Sequence, residues 1–151
     1  MRVVTWNINS VRLRINSVKK VVKKLNPDIL CLQETKCLKE DFPFEDFKKM
    51  GFVDTEAIGI KGYNGVCIAS RHPITSIDKH IFFNKDDARH MNIEFLYKNK
   101  KIIIHNFYVP AGGDEPDPKI NAKFKHKLKF LEEATKLFSN KKSAKNDLVV
   151  L

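Results

Sequence analysis

Three apolar runs in this 151-residue chain each end on a side chain that can hold an ion or steer a phosphate. Asn7 follows RVVTW, Glu34 follows DILCLQ, and Tyr108 follows IIIHNF. A carboxylate at the mouth of a sheet, beside an amide, offers the oxygen ligands that a hard divalent cation prefers. A tyrosine hydroxyl near them can donate a hydrogen bond to a phosphate oxygen. Taken singly, each has a plainer reading: Asn7 as a turn residue, Glu34 as an exposed strand end, Tyr108 as an amphipathic core residue.

The elements that would position these residues follow from the apolar periodicity. Residues 2–8 read as a strand, and Val18, Val21, Val22 and Leu25 recur at helical spacing within a helix of about 13–25. Asn26-Pro27 ends that helix, because the residue before proline is pushed out of the α region. A buried strand at 28–33 completes a β-α-β opening, and 43–50, closed by Gly51, reads as a short helix with a glycine cap. Strands are then predicted at 52–58, 65–70, 91–97 and 101–109. The first two are joined through Gly62-Tyr63-Asn64-Gly65, and the last two form a hairpin across Lys98-Asn99-Lys100. A Pro-, Gly- and Asp-rich loop at 110–118 leads to a helix of about 119–139, with Phe124, Leu128, Leu131 and Phe138 on one face. Residues 146–151 (NDLVVL) read as the opening of another buried strand, inside which the sequence stops; the expectation is a truncated product.

Composition is that of a soluble globular domain: 42% hydrophobic and 30% charged residues are enough to bury a core. No run approaches the roughly 20 apolar residues that span a bilayer, and Met1 to Ile8 lacks the apolar core of a signal peptide. No membrane partner and a cytoplasmic location are therefore expected. Cys31, Cys37 and Cys67 form no CxxC, which argues against a disulfide framework or a zinc site. The net charge of +10 suits a phosphate-rich partner. Lysine outnumbers arginine 23 to 5, however, a bias that base composition alone can produce.

The segments TWNINSVRLR, PDILCLQETK, GYNGVCIASR and NFYVP occur in an order and spacing that resemble the exonuclease III and apurinic/apyrimidinic endonuclease family. That family lies within the endonuclease/exonuclease/phosphatase superfamily. The likeness runs from Met1 to Leu151, LQETK being its most specific piece, and YVPAGGDEPDP resembles bacterial members. Ser10 and Val11 stand where many relatives have glycine and leucine, changes that are conservative in size. Relatives also carry a Gly-Asp-x-Asn motif and a later Ser-Asp-His motif, and neither occurs in this sequence. His72, His80, His90, His105 and His126 are accordingly read as structural or surface residues.

The resemblance implies an α+β fold, half of a four-layer α/β/β/α sandwich with a mixed β-sheet and flanking helices, truncated within a core strand. Residues 1–151 would be the amino-terminal part of one domain. Each half of that fold is expected to supply one sheet, so the inner face of this one would lie bare and the isolated chain would be marginally stable or insoluble. Glu34 and Asn7 would bind Mg²⁺, with Mn²⁺ as a substitute, and Tyr108 would position the scissile phosphate. Lys36, Arg12, Tyr63 and Arg89 would contact the backbone of double-stranded DNA at abasic sites or 3′ ends. The implied reaction is metal-assisted phosphodiester hydrolysis, with this chain inactive alone because the water-activating aspartate and the histidine pair are absent. Three other readings remain: one part of a split enzyme with a separately encoded carboxyl-terminal half, a non-catalytic basic DNA-binding module, and a lipid phosphodiesterase of the same superfamily. The short spacing from LQETK to YVP and the bacterial-type loop argue against the last.

Overall fold

The computed structural model describes residues 1–84, 86–139 and 147–150. The order of elements is β1 (Val3–Asn7), α1 (Ile15–Leu25), β2 (Ile29–Gln33), α2 (Phe44–Lys49), β3 (Asp54–Ile60), β4 (Tyr63–Ser70), β5 (Ile74–Asp78), a 3₁₀ turn (Phe82–Asn84), β6 (His90–Tyr97), β7 (Lys100–Phe107), α3 (Ala122–Ser139) and β8 (Asp147–Val150). They form two four-stranded sheets with strand orders β1-β2-β4-β3 and β5-β6-β7-β8. β1 runs parallel to β2 and β7 parallel to β8, and the remaining pairs are antiparallel, so both sheets are mixed.

Alternation along the strands decides the layers. Ile29 and Cys31 of β2 and Val66 and Ile68 of β4 share one core with Met91, Ile93 and Phe95 of β6 and Ile104 of β7. The intervening residues Leu30, Leu32, Cys67 and Ala69 turn the other way and pack with Val18 and Val22 of α1 and Phe47 of α2. On the far side of the second sheet, Phe107 meets Phe82 and Phe130 of α3. The result is helix, sheet, sheet, helix: four layers. Each fully buried aliphatic or aromatic side chain contributes about 1.5–3 kcal/mol before chain entropy is counted.

The bare inner face expected from the sequence is therefore absent. The chain turns from one sheet to the other between β4 and β5, at Arg71, His72 and Pro73, and the two inner faces close on each other. β5 was not apparent from the sequence because only Ile74 of its five residues is even partly buried, so it carries no alternating apolar signal.

Other differences are local. α1 ends with Asn26 in the left-handed region at φ +44, its N–H donating to Val22 O at 2.8 Å. Ile60 pairs directly with Tyr63, so the turn after β3 is Lys61-Gly62, and Tyr63, Asn64 and Gly65 already belong to β4. The expected hairpin is present with Lys98 and Asn99 at φ +49 and +60, the left-handed pair that a tight two-residue turn needs. In α3 the buried residue is Phe130, with Ala134, Leu137 and Phe138 packed on the same cluster, whereas Leu128 and Leu131 are exposed. The expected face is thus rotated, since the apolar outer surface of β7 at Phe107 decides which side of α3 turns inward. β8 coincides with residues 147–150 of the expected last strand; 146 and 151 lie outside the described residues. No helix among the described residues is long and apolar enough to cross a membrane.

Candidate active site

The carboxyl ends of β1 and β2 run into two short loops that are zipped to each other and to the start of β4. Ile8 N–H donates to Gln33 O at 2.9 Å, Ser10 N–H to Glu34 O at 2.7 Å, and Val11 N–H to Thr35 O at 3.2 Å. From the other side, Thr35 N–H reaches Gly65 O at 3.2 Å and Lys36 N–H reaches Asn64 O at 2.9 Å. This network holds several residues in the left-handed region: Asn9, Ser10, Glu34, Lys36 and Asn64 at φ +46, +84, +55, +53 and +46. Such non-glycine conformations cost about 1–3 kcal/mol each and persist where the surroundings over-determine them. Ser10 is a case where size misleads: the glycine expected there matters for its freedom at positive φ rather than for its volume.

The strain at Glu34 has a consequence for its carboxylate. Strict alternation would send Glu34 to the face opposite Gln33, toward the helices. The left-handed turn breaks the alternation and brings its carboxylate to Asn7 and Tyr108. Asn7 Nδ2 donates to Glu34 Oε1 at 2.7 Å, and the Tyr108 hydroxyl donates to the same oxygen at 2.9 Å. Lys36 Nζ lies 3.0 Å from Glu34 Oε2 and donates to Asn9 Oδ1 at 2.6 Å.

Electrostatics follow from these contacts. The Glu34 side chain is 18% exposed. Burial by itself pushes its carboxyl upward, but the hydrogen bonds from Asn7, Lys36 and Tyr108, with the Lys36 charge, outweigh it and hold the group below its ordinary range. Burial, then the bond to Glu34, pushes the Tyr108 phenol upward, so the hydroxyl keeps its proton and serves as donor.

The donor set fits a hard divalent cation. Three of the carboxylate's roughly four lone-pair positions are engaged, which leaves one open on Oε2. Asn7 turns its nitrogen to Glu34, so its amide oxygen is the branch left to serve as a ligand. Among the described residues no group of three or more His, Cys, Asp or Glu is placed to hold a metal. An ion bound here would thus take much of its shell from water and phosphate, the habit of Mg²⁺.

Tyr108 is held from behind. The Arg89 guanidinium lies 4.8 Å from the centre of its ring, Arg89 Nη1 donates to Tyr108 O at 3.3 Å, and Tyr108 N–H donates to Arg89 O at 2.7 Å. Arg89 Nε in turn pairs with Asp87 at 2.6 Å, and Asn64 Nδ2 caps Asp87 O at 2.8 Å. In front lies a cleft of about 480 Å³ bordered by Tyr63, Arg89, Tyr108, Pro110, Lys123 and His126.

Of the residues singled out in the sequence, Asn7, Glu34, Lys36 and Tyr108 converge in one hydrogen-bonded cluster. Arg89 joins it through Tyr108, and Tyr63 borders the cleft, 59% exposed. Arg12 does not join; it is exposed and pairs loosely with Asp41 at 4.0 Å. His126, read from sequence as structural or surface, borders the cleft, whereas His90 and His105 are buried in the second sheet. Sequence reasoning missed Asn9, Asp87, Gln33 and Asn106. The last two could have been noticed as polar residues at inward positions of apolar strands, in Ile29-Cys31-Gln33 and Ile104-Asn106-Tyr108.

Comparison with known proteins places this geometry. The endonuclease/exonuclease/phosphatase family profile matches residues 4–151. Exodeoxyribonuclease III of Haemophilus influenzae is 24% identical over 153 residues, an alignment covering all of this chain and 56% of that protein. A solved AP endonuclease from Archaeoglobus fulgidus superimposes with a TM-score of 0.85 at 30% identity, over 99% of this chain and 55% of that one. The 3′-5′ exonuclease NExo from Neisseria meningitidis gives 0.74 at 28% identity, over 90% of this chain and 50% of that one. The chain thus spans about half the length of these relatives. A profile match over nearly all its residues and a shared four-layer fold lead to one conclusion: the chain belongs to the endonuclease/exonuclease/phosphatase family.

Proposed function

We propose that this chain carries the amino-terminal part of a DNA-repair phosphodiester hydrolase of exonuclease III type, acting at abasic sites and 3′ ends of double-stranded DNA. The observation that carries the reading is the convergence of Asn7, Lys36 and Tyr108 on the two oxygens of Glu34 at the open ends of the strands. Glu34 and Asn7 would hold Mg²⁺, or Mn²⁺ in its place, through oxygen. The ion, when bound, neutralises charge that grows on the phosphate oxygens.

The chain's own residues do the rest. Tyr108, kept protonated, donates its hydroxyl hydrogen to a phosphate oxygen and so fixes the scissile group beside Glu34. Lys36 supplies positive charge at the same place, and a phosphate arriving there gives its ammonium a second anionic partner. Arg89 is tied to Asp87 and packed on Tyr108, so it orients the phenol and lends charge to the cleft that both residues border. Tyr63, which borders the same cleft, would contact the flanking backbone, and Arg12 a more distant phosphate. The aspartate that would activate water is not among these residues. We infer that it comes from the remainder of the fold, on this polypeptide or on a separately encoded one, and that the chain alone is inactive.

The test pairs metal binding with incision. Titration with Mn²⁺, followed by electron paramagnetic resonance, should show binding to the chain that is lost in Glu34→Gln. A duplex with one abasic site should be cut when the carboxyl-terminal half of a relative is added, in Mg²⁺ and not in EDTA. Cleavage that proceeds equally well with Glu34→Gln would refute the reading.

A further inference from the structure

The core between the two sheets is apolar through Ile29, Cys31, Ile93 and Ile104 and turns polar one rung before the site. At that rung stand Gln33, 4% exposed, and Asn106, fully buried. Gln33 immediately precedes Glu34, and Asn106 is the last inward residue of β7 before Tyr108. Asn106 Nδ2 crosses the gap to donate to Leu32 O at 3.0 Å and Cys67 O at 2.9 Å, both in the first sheet. Its oxygen accepts from Gln33 Nε2 at 2.7 Å, and that nitrogen also reaches Thr5 Oγ1 at 3.0 Å. Two carbonyls facing one nitrogen fix the orientation of the Asn106 amide, because a flipped amide would set oxygen against oxygen.

Apolar packing has no preferred direction, so two sheets joined by aliphatic side chains alone can slide by fractions of an ångström. A hydrogen bond weakens steeply with such errors. The Tyr108–Glu34 bond at 2.9 Å joins one sheet to the other, and its geometry depends on their register. Hydrogen bonds from Asn106 to β2 and β4, continued through Gln33 to β1, are directional and lie next to both residues in the chain. We propose that the Gln33–Asn106 pair is a positioning element that locks the two sheets so that Glu34 and Tyr108 meet at bonding distance. The inference rests on the reading of Glu34 and Tyr108 as site residues, but its spectroscopic test does not.

Asn106→Leu removes every directional contact at similar volume, and Gln33→Met removes the bridge while leaving Asn106 on its carbonyls. The spectroscopic readout is the Glu34 carboxyl and Tyr108 ring carbon resonances with the amides of Thr35 and Val109, alongside the melting temperature. In Gln33→Met these resonances are expected to shift and broaden through exchange, while the amides of Val18 and Val22 stay sharp. A folded Gln33→Met whose Glu34 and Tyr108 resonances are unmoved overturns the proposal, even if Asn106→Leu fails to fold, since Asn106 is then structural only. In the supplemented incision assay Gln33→Met should lower kcat about 10- to 100-fold with KM little changed, and less than about twofold once Tyr108→Phe is present. Additive losses in that pair of variants would also overturn it. Shifted resonances with incision indifferent to Glu34→Gln would support the pairing while refuting the reading of the site.

Discussion

Two of the polar clusters among the described residues, one around Glu34 and one around His90 and His105, differ in backbone strain and in access, and the proposed chemistry rests on the first. The histidines are diagonal neighbours on β6 and β7, opposite Phe107 and Asn92 respectively, under α3 and 1% and 0% exposed. His90 Nε2 and His105 Nδ1 are 3.0 Å apart, and His80 N–H donates to His90 Nδ1 at 2.9 Å. Phe107 lies 4.3 Å from the His90 ring, so the pair is sealed by aromatic surface. Neither residue departs from strand conformation. Around Glu34 the backbone is left-handed at five non-glycine positions, and the carboxylate opens toward solvent. Hydrogen bonding among polar side chains is common to both clusters. What separates them is strain that the surroundings enforce, together with access for a ligand.

The comparison breaks most sharply at Glu34. Glu34→Gln is expected to lower incision in the supplemented assay by about 10²- to 10⁴-fold while shifting the melting temperature by only a few degrees; equal losses of activity and stability would erase the distinction. Gly65→Ala attacks the zipped loops instead. A Cβ there would fall 2.1 Å from Thr35 Oγ1 at a φ of +97. Destabilisation of about 2–4 kcal/mol in urea melts is expected.

His105→Leu tests the other cluster. It should cost about 1–3 kcal/mol of stability, because His90 loses a buried partner, and leave incision unchanged; a deficit in incision at full folding would make the second cluster functional after all. Ser10→Gly should raise stability by about 1 kcal/mol through relief of its positive φ, with activity retained.

The smallest effect concerns pH. Glu34 is held below its ordinary value of 4.5 in the folded chain and returns to it on unfolding. Its contribution to stability is therefore present above pH 4.5 and is lost as pH falls through the folded value. Melting curves over roughly pH 3 to 6 should show a shallower acid limb in Glu34→Gln than in the parent chain. An unchanged limb would mean that the three donors do not favour the charged carboxylate.

Much of this was legible from residue order alone. Apolar alternation located β2, β4, β6 and β7, because strands buried on both faces leave continuous or alternating runs. Asn7, Glu34 and Tyr108 stood out as polar residues at the ends of such runs, Lys36 entered only through the family resemblance, and helical spacing found α1 and its buried Val18 and Val22. Exposed β5 escaped notice, as did the face of α3, since burial there depends on a partner surface far away in the sequence.

The sequence by itself determined the described strands other than β5, the polar residues at their ends and the resemblance to a family. Tertiary structure alone decided that the eight described strands divide into two sheets that cover each other. It also decided that Glu34 leaves the alternation through a left-handed turn, and that Arg89 backs Tyr108 while Arg12 stands apart. The physical reason is range. Periodicity records which side of an element is apolar, a property of neighbours in the chain. The meeting of Glu34 with Tyr108, 74 residues away, depends on how two sheets register across a core. That register is set by packing and by buried amides such as Asn106, whose partners no local pattern names.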